Sequence, residues 1–145
     1  AMAETWRALV PKFDLLSYYA GVTAAFAEVV AAGVKPLALS HPYTPAERAQ
    51  MWAPTVAIAT EHGISCWLET DFLVTPLFPA AVTAGREVIF LAADAAVWAQ
   101  YQALKTRQQE NGGTGRSPHV DLELAREFGR LLGYTPAKIE ALLTA

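Results

Sequence analysis

The chain has 145 residues, 53% of them apolar and 17% charged, and a net charge of −3. That length suits one domain with one sizeable core, and that balance excludes a disordered protein. The acidic balance and scattered cations argue against a nucleic-acid surface, and no apolar run reaches the length of a membrane span.

A lone Cys66 rules out an internal disulfide and a Cys-rich zinc module. The first residues, with Glu4, Trp6 and Arg7, lack the pattern of a signal peptide, so a cytoplasmic protein is the expectation. Ala1 before Met2 reads as a cloning scar. Residues 1–12 read as a leader with a helical turn around Trp6.

A long helix is expected to open at Phe13 or Asp14 and to stop at Gly33. Leu15, Tyr18, Val22, Phe26 and Val29 follow a three-or-four spacing and are expected on its inner face. Tyr19, Ala20, Ala24, Ala25 and Val30 widen the stripe, so the helix is covered on two sides or lies at a subunit interface. A strand over residues 35–40 follows. Thr44-Pro45-Ala46-Glu47 is a strong helix start, with a capping Thr, a first-turn Pro and a capping-box Glu. That helix is expected to run toward His62 and Gly63, kinked or split by Pro54 near Trp52.

Residues 64–69 read as a second strand, with Cys66 and Leu68 on one face and Trp67 and Glu69 on the other. Residues 71–74 are too apolar for a free loop and read as a strand extension or a short separate strand. A short helix over 79–84 is expected to end at Gly85. Residues 87–92 form the clearest strand, apolar on both faces and therefore central. Asp94 caps a helix over 95–109, and residues 111–118 read as a flexible loop. From residue 118 the chain reads as a helical hairpin. Its first helix carries Leu122, Ala125, Phe128, Leu131 and Leu132, and its second carries Ile139, Leu142 and Leu143. With Lys138 its one cation, that second helix reads as packing rather than DNA-reading.

The order of elements predicts a single α/β domain over 1–145: a small, mainly parallel sheet of three or four strands flanked by helices, with a C-terminal helical hairpin. The apolar excess over so narrow a sheet favours a homodimer.

In a parallel sheet the strand ends gather on one edge, the usual place for a site. The first strand would bring Ser40, His41 and Tyr43, the second Glu69, Thr70 and Asp71, the third Asp94. His41 is the acid–base candidate, with Glu69 or Asp71 to orient it. Ser40, Tyr43 and Thr44 would line the substrate. One histidine and two acids also suit a metal, although no ligand spacing here is diagnostic. Ser40 lacks the nucleophile-elbow motif, and Cys66 reads as a buried hydrophobe. Asp94, His62 and His119 read as caps or exposed groups. Gly112, Gly113 and Gly115 lie between helices, the wrong context for cradling phosphate, so no cofactor is expected. The expected function is a small-molecule enzyme or binding protein. The alternative is a non-catalytic scaffold acting through an apolar dimer or partner surface.

Overall fold

The structure is a computed structural model that describes Ala8 and residues 14–145. The expected leader over residues 1–12 lies, apart from Ala8, outside the described residues. Helix α1 (Leu15–Ala31) follows Asp14, whose carboxylate accepts a hydrogen bond from the Ser17 hydroxyl at 2.7 Å. The stripe it buries is Tyr19, Thr23, Ala27 and Val30, one residue on from the expected one. Leu15 and Phe26 are exposed, and Tyr18, Val22 and Val29 are only half-buried.

Strand β1 (Leu37–Leu39) leads into helix α2 (Pro45–Glu61). The capping box forms as its spacing requires. Thr44 Oγ1 accepts from the Glu47 amide at 3.2 Å, and Glu47 Oε1 accepts from the Thr44 amide at 2.9 Å. Pro54 stays inside α2, which runs on to Glu61 as one helix instead of splitting near Trp52. The Thr55 hydroxyl donates to the Met51 carbonyl at 2.6 Å.

Strand β2 (Ser65–Glu69), the four-residue helix α3 (Ala80–Thr83) and strand β3 (Val88–Ala92) follow. The sheet order is β1-β3-β2, and both pairings are antiparallel. This corrects the mainly parallel sheet expected from sequence. Helix α2 does carry β1 over to a parallel β2, as a crossover should. The two strands are not neighbours, however, because β3 lies between them and runs the opposite way. The connection from β2 to β3 holds only α3, too short a helix to bring the chain back for a parallel pairing. Residues 71–74, expected as a strand, are irregular. They are apolar because Phe72 and Leu73 are buried beneath the helices that follow.

Helix α4 (Ala95–Glu110) is capped by Asp94, which accepts from the amides of Ala96 and Val97. Residues 111–117 make successive turns, tied down where Asp121 Oδ2 accepts from the Gly115 amide at 2.9 Å. Helix α5 (Pro118–Leu131) and helix α6 (Pro136–Thr144) complete the chain and pack on each other. Gly129 permits that close approach, since a Cβ there would stand 2.8 Å from Ile139 Cγ1.

The sheet is sandwiched. Leu37, Val88, Phe90 and Ala92 face α4 and α5, packing with Tyr101, Leu104, Leu124 and Phe128. Trp67 of the same face stacks on Trp98, rings 5.5 Å apart. Ala38, Ile89 and Leu91 face α1 and α2, against Tyr19, Ala27, Val30, Met51 and Ala59. All five residues of β3 are buried, as its apolar run predicts for the central strand. Among the described residues no helix is long and apolar enough to cross a membrane.

Candidate functional site

The chain leaves β1 through an irregular ladder. Ser40 continues it: its amide donates to the Ile89 carbonyl at 2.9 Å, and its Oγ accepts from the Ile89 amide at 2.9 Å. The next pairing joins Tyr43 to Glu87 through two backbone hydrogen bonds of 2.8 Å. His41 and Pro42 therefore stand together opposite the single residue Val88, which makes a β-bulge. Pro42 has no N–H to give a ladder, so the interruption falls where proline requires one.

The bulge decides which side chains meet. In an unbroken register His41 would share the face of Leu37, Leu39 and Glu69. One extra residue reverses the alternation. Tyr43 instead packs with Tyr19, Met51 and Ile89 on the α1/α2 face. His41 stacks on Tyr19 of α1, rings 4.6 Å apart and 22° from parallel. The Tyr19 phenol lies close enough to the Glu47 carboxylate to feel its charge, and the Arg86 guanidinium lies 3.9 Å from Glu47 Oε1. Glu47 Oε1 also caps α2 through the Thr44 amide. Arg48 and Glu87 close the cluster with an ion pair of 2.7 Å.

The charge states follow from these contacts. Partial burial holds the His41 imidazole below its ordinary pKa, only partly offset by the nearby Glu47 carboxylate, and Arg86 pushes the same way as burial. Hydrogen bonds from the Thr44 backbone and side chain hold Glu47 below the usual carboxylate range. Burial and Glu47 both raise the Tyr19 phenol. At neutral pH the cluster is thus a neutral imidazole, a protonated phenol, a carboxylate and a guanidinium. Such a group can accept a proton at His41 and hold a small polar molecule at Arg86.

Glu69 and Asp71 lie elsewhere. Glu69 is 5% exposed and points to the α4 face. Its oxygens accept from Lys105 Nζ at 2.9 Å and from the Asp71 amide at 2.8 Å. The Tyr101 hydroxyl accepts from the Leu73 amide at 3.0 Å and lies beside the same carboxylate. Burial, with the Glu69 charge beside it, pushes the Tyr101 phenol strongly up. This is a satisfied buried network that ties β2, the 71–74 loop and α4 together. The sheet stands between it and His41. Asp94 is at the opposite end of the sheet, because β3 runs antiparallel.

Of the expected substrate-lining residues, Ser40 is committed to the bulge, since its hydroxyl also donates to the His41 carbonyl at 2.8 Å. Thr44 is committed to the cap. Tyr43 is fully buried, its hydroxyl beside those of Thr23 and Ser40 but without a hydrogen bond of good geometry. Sequence reasoning misses Tyr19, Glu47 and Arg86 as site residues. Glu47 announces itself only as a cap, and Tyr19 and Arg86 are brought in by elements distant in the chain.

Among the described residues no group of three or more His, Cys, Asp or Glu side chains is placed to hold a metal ion. Half-buried Cys66 has its thiol pushed up by burial, the opposite of an activated nucleophile. No known protein family matches the chain, and no curated protein and no solved structure matches it.

Proposed function

We propose that this chain is a small-molecule enzyme or binding protein whose site is the bulge cluster, with His41 as proton acceptor. Tyr19 supports the imidazole ring, Glu47 sets the negative charge beside both rings, and Arg86 receives an acidic group of the ligand. Glu47 takes the orienting part first expected of Glu69 or Asp71. The observation that carries this reading is the bulge at His41 and Pro42, a device that re-aims side chains and is enriched beside active sites. It turns an exposed, neutral imidazole onto a phenol that lies beside a carboxylate.

The test is His41→Gln in the full chain, screened beside the unsubstituted protein against small carboxylic acids by ligand-observed NMR. Binding should be lost while Tm stays within about 2 °C, because the ring is exposed and among the described residues touches only the rings of Tyr19, at 4.6 Å, and Tyr43, at 5.9 Å. In the unsubstituted protein the imidazole should titrate below its ordinary pKa of about 6.5. A fall in Tm with ligand binding intact would sink the proposal.

A second reading, a scaffold acting as a homodimer, is favoured by α1. Its Leu15 and Phe26 are exposed and Val22 and Val29 only half-buried, and Glu28 is the helix's lone charge. Val22→Glu should convert a dimer to a monomer in sedimentation velocity, whereas a monomer before substitution removes this reading. Under either reading we take the protein to be cytoplasmic, on the strength of its single unpaired cysteine.

A further inference from the structure

On the other side of the sheet, α4 and α5 leave a groove between them. A cleft of about 450 Å³ runs along these helices, lined by Gln100, Ala103, Leu104 and Arg107 of α4 and by Glu127, Arg130 and Leu131 of α5. The spacing accounts for it. Residues 100, 103, 104 and 107 form one stripe of a helix, and 127, 130 and 131 form one turn of the other. Ala103, Leu104 and Leu131 give the cleft an apolar strip beside the polar Gln100, Arg107, Glu127 and Arg130, and its volume is within the range of small-molecule pockets.

The charges at its mouth are unequal. Arg107 Nη1 is bonded to Glu127 Oε2 at 2.6 Å, and its Nη2 lies 3.6 Å from Glu123 Oε2. Arg126, on the adjoining surface, is held by both oxygens of Glu140, at 2.6 and 3.3 Å. The carboxylates at hand are thus already engaged. Arg130 alone of these three arginines forms no ion pair among the described residues. An apolar trough with an uncommitted guanidinium at its rim complements one kind of ligand: a single anionic head on an apolar tail.

We propose that the α4/α5 cleft binds an amphipathic monocarboxylate. The tail lies on Ala103, Leu104 and Leu131, and the carboxylate accepts the paired N–H groups of Arg130. Arg107 stays with Glu127 and closes the cleft.

Octanoate is the probe. It should be titrated into the full chain while the methyl groups of Ala103, Leu104 and Leu131 are followed by NMR, with 1-octanol as the uncharged control. Saturable shifts at those three residues are expected. Arg130→Gln should weaken octanoate by about tenfold, the worth of one charge-assisted contact, and leave octanol unchanged. Ala103→Trp, at an exposed position that tolerates the change, should fill the cleft and abolish both. Octanol binding as tightly as octanoate would overturn the proposal. So would indifference to Arg130→Gln, shifts confined to other residues, or no saturation at millimolar octanoate.

Discussion

Tyr43 shows what one inserted residue does. Its ring is buried completely, yet its hydroxyl gains no well-formed hydrogen bond. A buried donor without a partner costs about 1–3 kcal/mol, so removing it should be free or favourable. Tyr43→Phe should leave the denaturation midpoint unchanged or raise it. A loss of more than about 1 kcal/mol would show that Thr23 or Ser40 does bond the hydroxyl. The stretch from Ser40 to Glu47 is legible as a focus, because a strand end, a proline turn and a capping box coincide there. What could not be read is the direction of His41. Alternation assigns it to the face of Glu69, and the bulge that reverses the assignment exists only once Glu87 and Val88 are in place opposite. Of the rings that meet His41, Tyr43 lies two residues on, but Tyr19 comes from α1, and the charges beside them come from α2 and the turn before β3, which no spacing in the chain links to His41.

Between elements, Gln108 of α4 joins two loops. Its Nε2 donates to the Val74 carbonyl at 2.8 Å and to Asp121 Oδ1 at 3.2 Å, and its Oε1 accepts from the Thr114 hydroxyl at 3.2 Å. Gln108→Ala should cost about 1–3 kcal/mol, because a half-buried carbonyl and a buried carboxylate each lose a donor. Hydrogen exchange should then quicken in residues 71–75 and 111–117 together. Quickening in only one of them would show that Gln108 does not couple the loops. The apolar 71–74 segment misreads as a strand for the same reason: Tyr101 and Gln108 satisfy backbone groups that a sheet would otherwise have to satisfy. Periodicity makes α1 legible as a helix but does not say which stripe turns inward. The sheet takes the slimmer one, since Thr23 and Ala27 let the helix axis come close to Ala38 and Leu91. Leu15 and Phe26 of the expected stripe are left exposed.

At the scale of the whole molecule, the helices, the central place of β3 and the three cores follow from apolar patterning. Strand direction does not. The pattern of β3 is that of any strand buried on both faces, parallel or antiparallel. What sets its direction is the shortness of α3, and the apolar residues beside α3 hide that shortness by resembling a strand. The two faces of the sheet have different characters. One holds the bulge cluster and the exposed Leu15 and Phe26 of α1. The other holds the Glu69 network and, beyond it, the α4/α5 cleft. A substitution that affects one face should leave the other unaltered, because contacts through β3 are tight but its residues are apolar and carry no charge between them.

The middle position of β3 also governs how the protein can be made. A ribosome delivers β1, α2 and β2 first, and neither strand can pair with its eventual neighbour until β3 has been synthesised. For that interval the nascent chain carries two unpaired strands and the apolar inner faces of two helices, a combination that invites capture by chaperones or by other nascent chains. Completion of one five-residue strand then closes both edges of the gap at once, and the bulge beside His41 forms in the same event, because Glu87 and Val88 are what it is measured against.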